Sequence, residues 1–480
     1  RCRCLLGRAS KMGCSASQLE QAKKYLPGRK GEARHDIDDM PDILQKLTAA
    51  KQNAAAKVAL KMLLDVAETE MASSAVVRSG KVVPKLVAWV SSKDPEVKAN
   101  ALDCCALLSM HDTGCAEEIG TPEFLTQVGN MYKAKDKKLA EAAARFFSKA
   151  GGNKTVRQRI LDGGVHKQLW MMVKSKKESV MKLGLIGYSK LADDPAAAER
   201  LCEDDVEELV KFFFIRIAKT DDTDVEKWCL IAVARLSLAT EFGNKLAAMD
   251  KFGVLFVKAN DTIAGRKLPA ALAIANLATN KMLRVRLIKY RALQLFVEMS
   301  KVSSNARRDM QDFQRVAALG IRNLAGSFDL RALAGKMGAL EAVVKMLRSK
   351  DLDVARFAAK AASELSLHEE NGRKMVLAGA LKPLIDMAKS GDAYCETEAV
   401  AALANLAMGD DNQKQFMKEG GMAAIEVMTL SKNPRVQHNA KRLISRLRLA
   451  KMRTAARART TLLLLLLPAG LTLGALESLV

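Results

Sequence analysis

Nine cysteines and five histidines are the side chains of this chain best suited to bind a metal, act as nucleophiles or cross-link. Cys2, Cys4, Cys14, Cys104, Cys105, Cys115, Cys202, Cys229 and Cys395 contain no CxxC pair, and no Cys/His cluster has ligand spacing. No metal site is expected from that pattern. Most of the cysteines stand inside apolar helical pattern and read as buried, reduced thiols of a cytosol-facing chain. His35, His111, His166, His368 and His438 fall mostly in loops or repeat junctions, and none pairs with a Ser or Cys in a nucleophile setting. No P-loop or G-x-G-x-x-G follows a strand pattern. Acidic pairs such as Glu117-Glu118 and Glu207-Glu208 read as solvated helix faces. The residues therefore point away from catalysis, and neither an enzyme nor a cofactor is expected.

What must hold these side chains is helical. The 480 residues exceed one compact domain, so several domains or a repeat array are expected. Aromatics are only 5% against 49% apolar residues, which favours helix cores of Leu, Ala and Met over a sandwich or barrel. A net charge of +23 fits either an anionic partner or a solvated Lys-rich surface. Lys and Arg spread along the chain without interleaved aromatics, so nucleic acid is not an expected partner.

Three phrases recur at one period. A helix start appears at Ser92–Val97 (SKDPEV), Ala134–Leu139, Ser175–Val180, Thr220–Val225, Ser349–Val354 and Ser431–Val436. Asp or Asn supplies the cap there, and Pro95 and Pro434 suit a first turn. Its apolar position advances by 42, 41 and 45 residues over the first four occurrences, and by 82, two steps of 41, over the last two. About ten residues on lies x-L-[AS], as in Arg235-Leu236-Ser237, Asn276-Leu277-Ala278, Asn323-Leu324-Ala325 and Asn405-Leu406-Ala407. A glycine before an apolar helix recurs at Gly80, Gly120, Gly164, Gly253, Gly338, Gly379 and Gly421. The long helices are apolar on more than one face, as a helix between neighbouring repeats must be. Two units are longer, around Phe212–Phe252 and Val297–Asn323, and their extra residues are expected in loops. Trp89, Trp170 and Trp228 are expected in the core.

This pattern resembles the armadillo repeat family, most closely over Gly379–Met422. The resemblance implies an all-α, right-handed superhelical solenoid of about ten repeats over residues 37–449, after a flexible segment 1–36 and before a basic, then hydrophobic, tail 450–480. It also implies a concave groove lined by the third helix of each repeat. In the family an Asn near the end of that helix bonds an extended peptide, and the matching positions here are Asn276, Asn323 and Asn405. An amide offers both donor and acceptor to a peptide unit; tying its own helix end to a neighbour is the competing role. On the peptide-binding role, losing the three amides should weaken capture and leave thermal stability nearly unchanged. Asp65, Leu107, Lys149, Lys190, Arg235, Glu364 and Arg446 interrupt the row. The Trp positions of nuclear-localisation-signal receptors carry Leu272, Leu319 and Ala401, which disfavours that class. With Arg145, Lys149, Lys190 and Arg235 on these rows, acidic extended peptides are the better-matched ligand.

The resemblance thus implies a protein-interaction scaffold or adaptor. A client-binding chaperone like the armadillo-like part of myosin chaperones, and a nuclear transport adaptor, are the alternatives. Near the start, Met12-Gly13-Cys14-Ser15-Ala16-Ser17 matches a myristoylation signal with a palmitoylatable Cys14 beside Gly13. Lys23, Lys24, Arg29 and Lys30 follow, giving the second signal that stable anchoring needs. The motif acts only if Gly13 becomes the N-terminus. On that reading the chain is cytoplasmic and peripheral on the cytosolic face of a membrane. Near the other end, Thr460–Leu476 is apolar apart from threonines and reads as a tail anchor or a capping helix.

Overall fold

The computed structural model describes residues 37–67, 69–301, 308–407 and 410–466. Gly13 and Cys14 lie outside them. The described residues are helical and contain no strand. They divide into two compact units, one through Val156 and one from Arg157.

Both units repeat one pattern: two short helices, then a longer third helix. In the first unit the third helices are Asn53–Val66, Pro95–His111 and Lys137–Ala150, each packed on the next. In the second they are Glu178–Leu191, Thr223–Leu236, Ala264–Leu277, Arg308–Ala325, Leu352–Leu365, Ala393–Leu406 and Pro434–Leu466, again packed in succession. Each unit is an all-α solenoid whose core is a row of third helices, the inner ones covered on two sides by their neighbours.

Local chemistry explains the starts of these helices. Asp94, Asp222, Asp351 and Asp392 each accept hydrogen bonds from N–H groups of the first turn, which have no partner inside the helix. The chain reversals need a left-handed residue, found at Gly80, Gly164, Gly338, Gly379 and Gly420. Three glycines expected in that role do not have it, and Gly120 ends its helix with φ −76°. Asp250 supplies the left-handed turn in place of Gly253, and Gly420 does so in place of Gly421.

In the longer unit around Phe212–Phe252 the extra residues are helical and not in a loop. The second helix of one repeat, Val206–Lys219, has 14 residues where its counterparts His166–Val173 and Phe252–Ala259 have 8. Leu209, Val210, Phe213, Phe214 and Ile217 give it one continuous buried stripe, so extending the helix satisfies more backbone than a loop would. Around Val297–Asn323 the third helix has 18 residues, and residues 302–307, where the expected loop falls, lie outside the described ones. The three tryptophans are half-exposed and not core. Trp170 stacks edge-on with Phe212, 5.0 Å between ring centres, and donates to Glu208 Oε2 at 3.1 Å. The helix Pro434–Leu466 runs straight through residue 450, so the sequence boundary placed there is not a structural one. None of the described helices is long and apolar enough to cross a membrane.

Candidate functional site

The third helices carry the side chains that the repeat spacing singled out. Asn276 is buried, and its Nδ2 donates to the Ala234 carbonyl at 2.7 Å, one repeat earlier. Asn323 does the same to the Ala275 carbonyl at 2.8 Å. Asn405 donates to the Ser363 carbonyl at 3.1 Å, which also accepts from the Ser366 hydroxyl. Arg235 uses its Nη1 on the Ser189 carbonyl at 2.8 Å, and Arg446 reaches the Ala404 carbonyl. Five positions of the row therefore perform one act, donation to the preceding third helix.

The carbonyl they choose has a physical reason. At the end of Thr223–Leu236 the Ser237 N–H bonds the Val233 carbonyl, but the Leu238 N–H bonds that of Arg235. Tightening from a four-residue to a three-residue step skips the Ala234 carbonyl. The same skip leaves Ala275 between the acceptors Ile274 and Asn276, and Ser363 between Ala362 and Glu364. Each skipped acceptor receives the next repeat's side chain. Glu364 cannot donate, and it instead accepts from Arg331 at 2.8 Å and lies 3.2 Å from Lys360.

A second set of contacts fixes the other end of these helices. A basic residue eight positions before the row meets the cap aspartate of the next repeat. Lys57–Asp94 is 2.9 Å, Lys182–Asp222 2.5 Å, Arg315–Asp351 2.6 Å and Arg356–Asp392 2.6 Å. The Arg356 guanidinium, then the Cys395 N–H, hold the Asp392 carboxyl well below the usual carboxylate range. Lys182, then the Val225 N–H, lower Asp222 likewise. Between Thr223–Leu236 and Ala264–Leu277 the polarity reverses: buried Glu226 receives Arg266 at 2.6 Å, with Lys258 on its other oxygen. At the last joint a neutral pair, Asn433 to Thr397 at 3.0 Å, takes the same place. The sequence signal for this set is a Lys or Arg 36 to 40 residues before a cap Asp, a spacing that the helix-start phrase alone does not reveal.

The expected groove cations are differently engaged. Arg145 donates through Nε to Asp103 at 2.8 Å. Arg235 is half-buried beside Asp193, and burial pulls its guanidinium below its ordinary value. Lys149 and Lys190 are half-exposed on the same face of their helices. One turn before the row lies a file that sequence reading did not assemble: Ile186, Ile231, Leu272 and Leu319, all half-exposed on successive third helices of the second unit. Trp228 and Phe357, both half-exposed, stand one turn further back on their own helices.

The described cysteines are buried and unpaired, and burial pushes Cys115, Cys202, Cys229 and Cys395 up to about 12, where thiolate is scarce at neutral pH. Among the described residues no three His, Cys, Asp or Glu side chains gather as metal ligands.

No family model and no curated protein matches this chain. It is similar to an engineered protein solved by the Northeast Structural Genomics Consortium, at 22% identity and a TM-score of 0.65, over 85% of this chain and 99% of that one. A designed armadillo repeat protein in complex with the peptide (KR)4 is similar over 51% of this chain and all of its own, at 23% identity and a TM-score of 0.44. The first likeness is one of fold alone, and it agrees with the three-helix repeats described above.

Proposed function

We propose that this chain is a non-catalytic scaffold that holds an extended segment of a partner protein along the exposed face of its third helices. The observation that carries this reading is the aliphatic file Ile186, Ile231, Leu272 and Leu319 beside the row Lys190, Arg235, Asn276 and Asn323. Apolar side chains of an extended segment gain by covering the file, which water otherwise wets. Each Asn spends one N–H on the preceding helix; its second N–H and its oxygen suit a peptide carbonyl and N–H. Positive charge at Lys190 and Arg235 favours acidic side chains in that segment, and Arg145 and Lys149 would do the same for a segment on the first unit. Acylation at Gly13, reinforced at Cys14, would hold the scaffold at the cytosolic face of a membrane.

The same file favours a second reading, a chaperone for unfolded clients, because aliphatic contacts are tolerant of sequence. The test is selection of random extended peptides on the full chain, repeated with the double variant Ile231→Asp/Leu272→Asp. Expected is enrichment of apolar and acidic sequences, with capture falling at least about tenfold in the variant while its melting temperature stays close to the parent's. Equal capture by both proteins would refute the groove reading. Capture of an unfolded protein without enrichment of any peptide would replace it with the chaperone.

A further inference from the structure

The last helix, Pro434–Leu466, does more than close the final repeat. Val436, Ala440, Leu443 and Leu447 form its buried face, packed on Ala393–Leu406 and Gly421–Met428. Leu447 is the last buried residue among those described, and the helix continues 19 residues beyond it, about 28 Å at the α-helical rise. The described side chains of that extension are all exposed. Lys441, Ser445, Arg448, Leu449, Met452, Ala456 and Arg459 follow steps of three and four residues, so they line one side of the helix. Leu449 is 56% exposed and Met452 69%. On the turn that leads into this helix Leu430 is 83% exposed.

Charge over this region has one sign. Between Glu426 and Glu477 there is no acidic residue, and there are ten Lys or Arg. Leu462–Leu467 follow directly after the basic stretch.

We propose that this helix is a membrane-surface element that lies along an anionic bilayer, with its cations among the lipid headgroups and Leu449 and Met452 dipping toward the acyl chains. A helix with cations and apolar side chains on one exposed side gains from both parts of such an interface. Each Lys or Arg close to an anionic membrane strengthens binding about fivefold at moderate salt. Nucleic acid would satisfy the charge but leave Leu430, Leu449 and Met452 wet, and residues 427–476 hold no Phe, Tyr or Trp, only His438, on which a base could stack. The element lies at the opposite end of the sequence from Gly13 and needs no acylation.

The full chain made in bacteria, and so unacylated, is mixed with vesicles of phosphatidylcholine alone or with about 30% phosphatidylserine, and sedimented. Binding to the serine-containing vesicles only, weakened by high salt, is expected. Arg448→Glu/Arg459→Glu should lower that binding at least about tenfold, Leu449→Ser/Met452→Ser should lower it at unchanged charge, and Arg448→Lys/Arg459→Lys should keep it. Circular dichroism confirms that each variant is folded. Absence of vesicle binding, binding indifferent to phosphatidylserine, or tighter retention on single-stranded DNA than on vesicles would each overturn the proposal. Peptide capture through Ile231 and Leu272 would be untouched by any of these results.

Discussion

Asn276 reaches back 42 residues to the Ala234 carbonyl, the one acceptor that the tightened end of the preceding helix leaves over. The pairing is between repeats, and it is buried.

Replacing Asn276 by Ala should therefore cost stability, which the peptide-binding role alone would not require. Leaving the Ala234 carbonyl buried without a donor costs about 1–3 kcal/mol. Asn276→Asp should be worse at neutral pH, because a carboxylate then faces the carbonyl oxygen. Urea denaturation, read with amide exchange at Leu238, measures both. An unchanged midpoint for Asn276→Ala would show that the amide belongs to the ligand and not to the joint.

The cap aspartates predict an acid limb. Asp392 and Asp222 have carboxyl groups lowered by Arg356 and Lys182 and by N–H groups of the first turn. A carboxyl lowered in the folded state stabilises fully above its unfolded value, about 4, and loses that contribution as pH falls through the folded value. The midpoint of denaturation should fall between about pH 4 and pH 2. Asp392→Asn should lower it at pH 7, and the gap to the parent should narrow steadily as the pH falls from about 4 to about 2. Parallel pH curves for the two proteins would mean that the Arg356 pair adds nothing.

Gly320 sits within the helix Arg308–Ala325, where Ala has the better helix propensity. A Cβ at that position would run into the Phe296 ring. Gly320→Ala should consequently destabilise by about 1–3 kcal/mol despite its propensity. Combining it with Phe296→Leu should cost less than the sum of the single changes. Additive costs would place the strain elsewhere.

The solenoid was readable because three unrelated phrases share a period, and each has a local cause: a cap, a helix end, a reversal. The row of Asn276, Asn323 and Asn405 was readable as positions, not as partners. Its acceptors lie 42 to 48 residues away and are freed only by how the preceding helix winds at its last turn. Phe212 and Phe213 could have shown that Val206–Lys219 is one long helix, since apolar residues continue at helical spacing to Ile217. Glycine spacing misled at Gly253, because Asp250 accepts the left-handed turn and is tied there by Arg286 at 2.8 Å and Tyr290 at 3.2 Å. The aliphatic file was hidden in the same way. Leu272 and Leu319 already stood at groove positions by resemblance, but Ile186 and Ile231 look like core in sequence, and only the packing of successive helices leaves them half wet.

Pinning a third helix at both ends, as Arg315 and Asn323 do, sets a rule for how such a chain can change. One residue inserted between Arg315 and Asn323 would turn the rest of that helix by about 100° and carry Asn323 away from the Ala275 carbonyl. One inserted in a second helix disturbs neither pin. The six residues by which Val206–Lys219 exceeds its counterparts lie in such a segment, outside the fastened interval. The joints thus act as a ruler, and novelty accumulates where the ruler does not measure.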